Sequence, residues 1–278
     1  MPELPDLVYI HKKLHAFLPG KNIVEVKIHE PVVFRILAPA SVEHLLKNAR
    51  FQNVYRHGPF LGFELDNGFE LVIHPMLAGR LKISDETKHP GRGLCLNLTF
   101  ADGYHLFYLD DKKMGKVYLI QRRDYQAIPR YLSQGVNIQS GRFTFECFQA
   151  LISSSRKQVR VFLMDQTALS AIGNAYADEI LFDAGLHPKT FCYKLTEIEI
   201  KRLFESIKKV MTWGIAEVEK AGQPIEVKVR EHLKVRNRKD QPCPRCGATI
   251  RRAGVLGFDA FFCPQCQPAT RKQFIDWS

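Results

Sequence analysis

Hydrophobic and polar residues alternate with a period of two along the first 120 residues, a pattern typical of β-strands with one buried face. Turn-forming sequences such as Asp66-Asn67-Gly68 separate the apolar stretches. About eight such strands at this spacing predict a sandwich of two β-sheets. The predicted strands cover residues 22–29, 50–55, 60–65, 69–73, 80–83, 94–100, 104–109 and 116–120.

A helical spacing of apolar residues precedes and follows this β-rich region. The leading helix is predicted from about Pro5 to Leu18, because Leu7, Ile10 and Leu14 recur every three or four residues. Proline is also favoured in a first helical turn. Near residue 130 the spacing becomes helical again. Helices are predicted over 125–133, 144–153 and 197–220, with an irregular helical pair between 159 and 182.

Four cysteines near the end of the chain form two Cys-x-x-Cys pairs, separated by sixteen residues. Four thiolates fill a tetrahedral shell, which is typical of one structural zinc ion with no open position for water. Free cysteines or two disulfides are the alternatives, and the spacing favours zinc. Segments 248–252 and 259–262 are predicted to be the strands of a hairpin that the metal stabilises. The four predicted ligands are Cys243, Cys246, Cys263 and Cys266.

The chain is strongly basic, with 40 Lys and Arg residues against 29 Asp and Glu residues and a net charge of +11. Between Lys228 and Arg252 nine basic residues face only two acidic ones. This distribution favours a polyanionic partner, although a solvated basic surface is the alternative. No apolar run approaches the roughly 20 residues of a membrane-spanning helix. We expect a cytoplasmic, nucleoid-associated monomer that does not bind membranes.

Three sequence motifs, taken together, indicate the type of protein. They are the start Pro2-Glu3-Leu4-Pro5, the block Gly173-Asn174-Ala175-Tyr176-Ala177-Asp178-Glu179, and the four-cysteine hairpin. Together they resemble the formamidopyrimidine-DNA glycosylase / endonuclease VIII family along the whole chain. The resemblance implies an α+β multidomain protein. Its domains would be an N-terminal β-sandwich with a leading helix (1–125), a helical helix–two-turn–helix domain (130–225) and a zinc hairpin (235–278).

The same resemblance implies base-excision repair of damaged double-stranded DNA by a glycosylase that also cleaves abasic sites. After removal of Met1, Pro2 would present a secondary amine that attacks the sugar C1′, displaces the base and forms an iminium. Elimination of the 3′ and then the 5′ phosphate would follow. Glu3 would protonate the sugar oxygen and transfer protons. The alternative is that both residues simply open a helix.

The resemblance also implies contacts to phosphates. Asn174 would bind the DNA backbone from the turn of the helix–two-turn–helix element, and Arg160 stands where the family usually has a phosphate-binding lysine. Arg251 and Arg252 are the arginines of the zinc hairpin. A helix cap for Asn174 and a solvated surface charge for Arg160 are the structural alternatives.

The resemblance also implies two residues that would fill the space left by an extruded base and a third that would contact the opposite base. The family loop Asp-Pro-Arg-Arg-Phe-Gly corresponds to residues 110–115 here. Met114 would then be the wedge and Lys112 would contact the opposite base. Leu77 replaces a methionine that fills the same void in the family. Ordinary turn or core positions are the alternative for all three.

Two departures from the family pattern remove cations near the site of strand cleavage. Pro59 stands where the family has a phosphate-binding lysine, and Phe258 replaces an arginine of the zinc hairpin. A catalytically silent protein that binds damaged DNA is therefore the alternative function. The segment 221–234 is short and charged, which argues weakly against 8-oxoguanine as the preferred base. Candidates for compensation are Arg56, His57, Arg251 and Arg252.

Overall fold

The computed structural model describes residues 2–86 and 90–269, which form two compact units. Unit 1 contains the chain up to Ser133 together with Val218–Val229. Unit 2 contains Gln134–Glu217 together with the chain from Arg230 onwards.

We expected three domains, with a separate zinc hairpin over 235–278, of which 270–278 lie outside the described residues. In the structure the hairpin is part of unit 2, and the three-domain division stays a prediction. The hairpin shares a hydrophobic core with the rest of this unit, in which Phe182 of the helix Asn174–Ala184 packs with Cys263 and Phe261 of the hairpin.

Unit 1 consists of a helix and a β-sandwich, as expected. Phe51 of one sheet meets Phe100 of the other with ring centroids 6.0 Å apart, so that the sheets pack face to face. A helix, α1 (Leu4–Phe17), lies at the start, and a short one, α2 (Val42–Leu46), lies between strands. The four-stranded sheet has the order β1 (Ile23–Ile28), β7 (Leu94–Phe100), β8 (His105–Leu109), β6 (Arg80–Ser84). The five-stranded sheet has the order β2 (Phe34–Leu37), β9 (Lys116–Gln121), β5 (Phe69–His74), β4 (Phe60–Leu65), β3 (Phe51–His57).

All eight predicted strands are present, and β2 is an additional ninth strand. It follows a 3₁₀ turn at Pro31–Val33 and pairs in parallel with β9 at the edge of its sheet. Only Phe34 of its four residues is buried, whereas Ile36 and Leu37 are exposed. The segment therefore lacks the alternation of buried and exposed residues that predicts a strand.

The predicted helix over 125–133 is wrong, since only a 3₁₀ turn at Tyr125–Ala127 forms there. Tyr125 and Tyr131 stack with ring centroids 4.5 Å apart beside the buried carboxylate of Glu70. The Tyr125 hydroxyl donates to that carboxylate at 3.1 Å, and the Tyr55 hydroxyl donates to it at 2.7 Å. Residues six positions apart on an α-helix lie on different faces. The two stacked rings therefore require an irregular backbone.

Unit 2 is helical apart from the hairpin. The hairpin strands β10 (Arg251–Val255) and β11 (Phe258–Phe262) are antiparallel. We expected the first strand to begin at 248, but residues 248–250 pair with 240–243 instead. Within the described residues no helix is both long and apolar enough to cross a bilayer. The helices are α3 (Phe145–Ser153), α4 (Val159–Leu163), α5 (Asn174–Ala184) and α6 (Glu197–Ala221), with a 3₁₀ turn at Cys192–Lys194. The last turn of α6, residues 218–221, belongs to unit 1.

The cross-strand pair of Gly62 and Tyr55 offers a stability prediction for unit 1. A Cβ atom at Gly62 would lie 2.0 Å from Cζ of the Tyr55 ring. We expect Gly62→Ala to destabilise the protein by about 1–3 kcal/mol, because overpacking displaces the ring. Gly141→Ala is the matched control, since nothing lies within 4 Å of its added Cβ. Thermal unfolding that shifted equally in both variants would contradict this account.

Candidate active site and metal centre

The N-terminus of α1 holds two buried carboxylates directly after Pro2. Glu3 is the N-cap residue, and its backbone N–H donates to Asp6 Oδ2 at 2.8 Å. The Glu3 side chain accepts from the Asp6 backbone in return, which completes a capping box. Both side chains belong to residues that are 4% exposed. The positive end of the helix dipole stabilises their negative charge.

Pro2 and Asp6 line a cavity of about 10 Å³, room for roughly one water molecule. The segment 222–229 covers it within unit 1. Tyr9 Oη donates to the carbonyl of Gln223 at 2.9 Å. The other lining residues are Tyr9, Ile10, Gly79, Arg80, Val218, Ile225, Glu226, Val227 and Lys228. From the sequence we inferred only that this segment is short and charged, and its contact with α1 was not predicted.

The loops that carry Leu77 and Met114 meet beside Tyr108 of β8. Added Cβ atoms at Gly79 and Gly115 would lie 2.5 and 1.8 Å from the Tyr108 hydroxyl. Leu77 is 49% exposed and Met114 is 39% exposed, so that both apolar side chains face solvent. The two loops therefore approach the same tyrosine hydroxyl, and the void-filling role of Leu77 and Met114 stays a prediction.

The loop 110–115 is fixed by the buried carboxylate of Asp110. Its Oδ1 accepts from the backbone of Lys112 at 3.0 Å, and its Oδ2 accepts from that of Gly115 at 2.6 Å. Lys112 itself is exposed. Its contact with the opposite base stays a prediction, as does the wedge role of Met114.

The turn between β3 and β4 contains no lysine. Pro59 is buried there. His57 stacks on Tyr131 with ring centroids 4.4 Å apart, and its Nε2 forms a hydrogen bond with the Tyr131 carbonyl at 2.8 Å. Arg56 Nη1 donates to the carbonyl of Gly58 at 3.0 Å. Burial lowers the pKa of Arg56 from its ordinary value.

Arg160 is buried, whereas a direct contact with a phosphate requires an exposed side chain. Its side chain is 1% exposed, and Nε donates to Asp178 Oδ1 at 2.7 Å. Asp178 also accepts from Arg236 Nη1 at 2.8 Å. Burial raises the pKa of the Asp178 carboxyl, and the two guanidiniums oppose that rise. The residue that we expected at a phosphate is therefore part of an internal ion-pair network, because Asp178 is buried beside it.

Glu179 was not selected from the sequence, yet it organises the chain before the zinc hairpin. Its carboxylate accepts from the backbone N–H groups of Lys234, Val235 and Arg236 at 2.9, 2.9 and 3.0 Å. Burial raises its pKa from the ordinary value. The sequence did contain a signal for this role, because two consecutive acidic residues lie within an apolar helix. Buried carboxylates require hydrogen-bond or ionic partners, so such a pair predicts an internal polar network.

Four sulfur atoms of the hairpin form a metal site. Sγ–Sγ distances are 3.8 Å for Cys243–Cys266, 3.5 Å for Cys246–Cys263 and 3.4 Å for Cys246–Cys266. Zn–S bonds of about 2.3 Å place tetrahedral ligands about 3.8 Å apart, so the cluster fits one structural zinc ion. All seven cysteines are free, which excludes the alternative of two disulfides. Arg251 and Arg252 are exposed on β10.

Profiles of known families match three parts of the chain. They are described as the formamidopyrimidine-DNA glycosylase N-terminal domain (1–117), its H2TH domain (135–224), and a zinc finger found in FPG and IleRS (240–269). The formamidopyrimidine-DNA glycosylase of Thermus thermophilus is 31% identical over 96% of this chain and 98% of the relative. This chain belongs to the formamidopyrimidine-DNA glycosylase family. The relative from Pelotomaculum thermopropionicum is 29% identical over 96% of this chain and 99% of its own length.

Solved structures of this family of DNA glycosylases agree with the fold. The crystal structure of MutM (Fpg) from Thermus thermophilus matches with a TM-score of 0.83 at 29% identity, over 96% of this chain and 98% of that one. Lactococcus lactis Fpg in complex with abasic-site DNA matches with a TM-score of 0.85 at 26% identity, over 96% and 100%. The same Lactococcus protein with FAPY-dG DNA matches with a TM-score of 0.85 at 27% identity, over 96% and 100%.

Zinc should stabilise unit 2 directly, because metal binding supplies folding free energy in small modules with four cysteine ligands. Cys263→Ser leaves an incomplete shell and alters a buried core residue. We expect bound zinc to fall from one ion per chain to none and the unfolding temperature of unit 2 to decrease. Cys147→Ser is the control, since Cys147 lies outside the cluster. Metal analysis that found no zinc in folded wild-type protein would refute the assignment.

Proposed function

We propose that this chain excises damaged bases from DNA and also cleaves abasic sites, with Pro2 as its nucleophile after removal of Met1. The observation that carries the proposal is the setting of Pro2. It is buried beside a small cavity, and a capping box holds two carboxylates next to it. A nucleophile and an acid–base group in adjacent, fixed positions are what this chemistry requires.

The reaction follows from the properties of a secondary amine. The Pro2 nitrogen would form a bond to C1′ while the bond from C1′ to the base breaks, and the base leaves with that electron pair. Glu3 would protonate the sugar oxygen as the ring opens to an iminium. Loss of a proton from C2′ then expels the 3′ phosphate, and a second elimination expels the 5′ phosphate. An α-amino group has a pKa near ~8, so a neutral fraction exists at neutral pH.

Binding of damaged duplex DNA is supported by the basic surface and by relatives. The Lactococcus lactis protein is described in complex with abasic-site DNA and with FAPY-dG DNA. In this chain Arg251 and Arg252 are exposed and Asn174 is half-exposed at the start of α5, as phosphate contacts require. We also propose that the protein is monomeric and nucleoid-associated.

A binding protein without turnover is the second candidate, and one observation favours it. Phe258 is 52% exposed at the tip of the zinc hairpin, where the family pattern places an arginine. Pro59 likewise supplies no cation at the β3–β4 turn. Fewer cations beside the scissile phosphates would weaken stabilisation of the departing negative charge.

Blocking the amine separates these two functions. One additional alanine ahead of Pro2 converts the amine into an amide, which cannot form an iminium. We expect borohydride to trap an adduct between abasic-site DNA and wild-type protein, whereas the extended variant forms none and still binds an uncleavable abasic analogue. Mass spectrometry must first confirm that Pro2 is the mature terminus.

Two results would overturn the assignment of Pro2. An adduct with the blocked terminus would move the nucleophile to a lysine. Absence of any adduct with a confirmed free Pro2 would favour the protein that binds without turnover. Pro5→Ala is the matched control, because it alters the same helical turn and leaves the amine free.

Glu3→Gln should separate proton transfer from the structural role of the cap. Glutamine still accepts the backbone hydrogen bond from Asp6, so that α1 retains its start. We expect base release to slow by about 10²–10⁴-fold, because general acid–base catalysis contributes a factor of this size. Single-turnover rates on a panel of oxidised purine and pyrimidine duplexes are the measurement. Unchanged rates on every excised base would assign Glu3 to the helix cap alone.

A further inference from the structure

The buried guanidinium of Arg160 contacts the residue that we assign to phosphate binding. Nη2 donates to Asn174 Oδ1 at 2.9 Å and to the carbonyl oxygen of Asp259 at 2.8 Å. Nε remains bonded to Asp178. Three different elements of unit 2 are therefore joined by one side chain, namely α4, α5 and β11.

This contact decides the orientation of the Asn174 amide. Arginine has only hydrogen-bond donors, so the atom of Asn174 that faces it must be the carbonyl oxygen. The NH₂ group of Asn174 then points the other way, and no described residue accepts a hydrogen bond from it. An outward NH₂ group donates to a phosphate oxygen, whereas an outward carbonyl oxygen would repel one.

We propose that Arg160 is a positioning residue that acts through Asn174. It holds the amide in the orientation that donates to a DNA phosphate, and it does not touch the DNA itself. This inference rests on the proposed function, in which Asn174 binds the backbone of damaged DNA. It also assigns a role to a buried cation for which the sequence predicted a direct phosphate contact.

The zinc hairpin takes part in the same arrangement. The Asp259 carbonyl accepts from Arg236 Nη1 at 2.8 Å as well as from Arg160, and the Phe261 N–H donates to Asp178 Oδ2 at 3.2 Å. The start of β11 is thereby fixed to the N-terminus of α5. Proper folding of the hairpin should therefore support the orientation of Asn174.

Salt dependence distinguishes a positioning role from a direct contact. Each Lys or Arg that neutralises a phosphate adds about 0.9 to the slope of log affinity against log salt concentration. Asn174 is neutral and Arg160 is paired with Asp178. Arg160→Gln should thus weaken binding and leave the slope unchanged. Arg251→Gln, which removes an exposed arginine of β10, should decrease the slope by about 0.9.

The experiment uses the full zinc-loaded chain and a duplex with a tetrahydrofuran abasic analogue. Asn174→Ala should weaken binding by about tenfold to a hundredfold, the effect expected for a hydrogen bond to a charged acceptor. Arg160→Gln should cause a similar loss. The double variant should bind within about twofold of Asn174→Ala, because both substitutions remove the same contact.

A second variant tests whether weaker binding results from a loss of folding. Arg160→Lys keeps a positive charge beside Asp178, but one ammonium lacks the fork that reaches both Asp178 and Asn174. It should retain zinc and its unfolding temperature while it binds DNA as weakly as Arg160→Gln. Additive losses in the double variant, or wild-type affinity of Arg160→Lys, would overturn the positioning role alone. Wild-type affinity of Asn174→Ala would overturn both this role and the proposed phosphate contact.

Discussion

The structure of unit 2 depends on the buried carboxylate of Asp178. An unpaired charge in this position would be strongly unfavourable, so the chain must bring partners to it. Arg160, Arg236 and the Phe261 N–H supply them, and they come from α4, from the segment after α6 and from β11. One desolvated charge thus brings three distant segments together. Asn174, which we propose binds DNA, lies next to this network and accepts a hydrogen bond from Arg160.

Buried carboxylates organise unit 1 in the same manner. Asp110 accepts a hydrogen bond from the backbone of Gly115 and so fixes the loop that carries Met114. Glu70 accepts hydrogen bonds from the hydroxyls of Tyr55 and Tyr125. Glu3 caps α1 beside Pro2. In each case a local backbone shape follows from the need to pair a desolvated charge. The candidate catalytic and DNA-contacting side chains are then placed by these fixed turns.

In the proposed function, the two missing cations change how the DNA backbone would be held. Pro59 is buried and His57 is stacked on Tyr131, so the β3–β4 turn offers no lysine. Phe258 exposes an apolar ring at the tip of the hairpin. In the proposed function, affinity for phosphates would therefore depend more on the remaining arginines of β10 and on hydrogen bonds from neutral groups such as Asn174. Orientation of such a group matters, because a neutral amide binds a phosphate through only one of its two faces.

The sequence by itself determined the features that rest on local pattern. Alternation predicted eight strands of the sandwich, helical spacing predicted α1 and α6, and cysteine spacing predicted the metal ligands. Tertiary structure alone decided that Arg160 is internal, since its partner Asp178 lies eighteen residues away. It also decided that 125–133 is not a helix and that the zinc hairpin packs within unit 2. These outcomes depend on which residues, distant in sequence, are buried together. The local spacing of apolar and polar residues contains no information about such contacts.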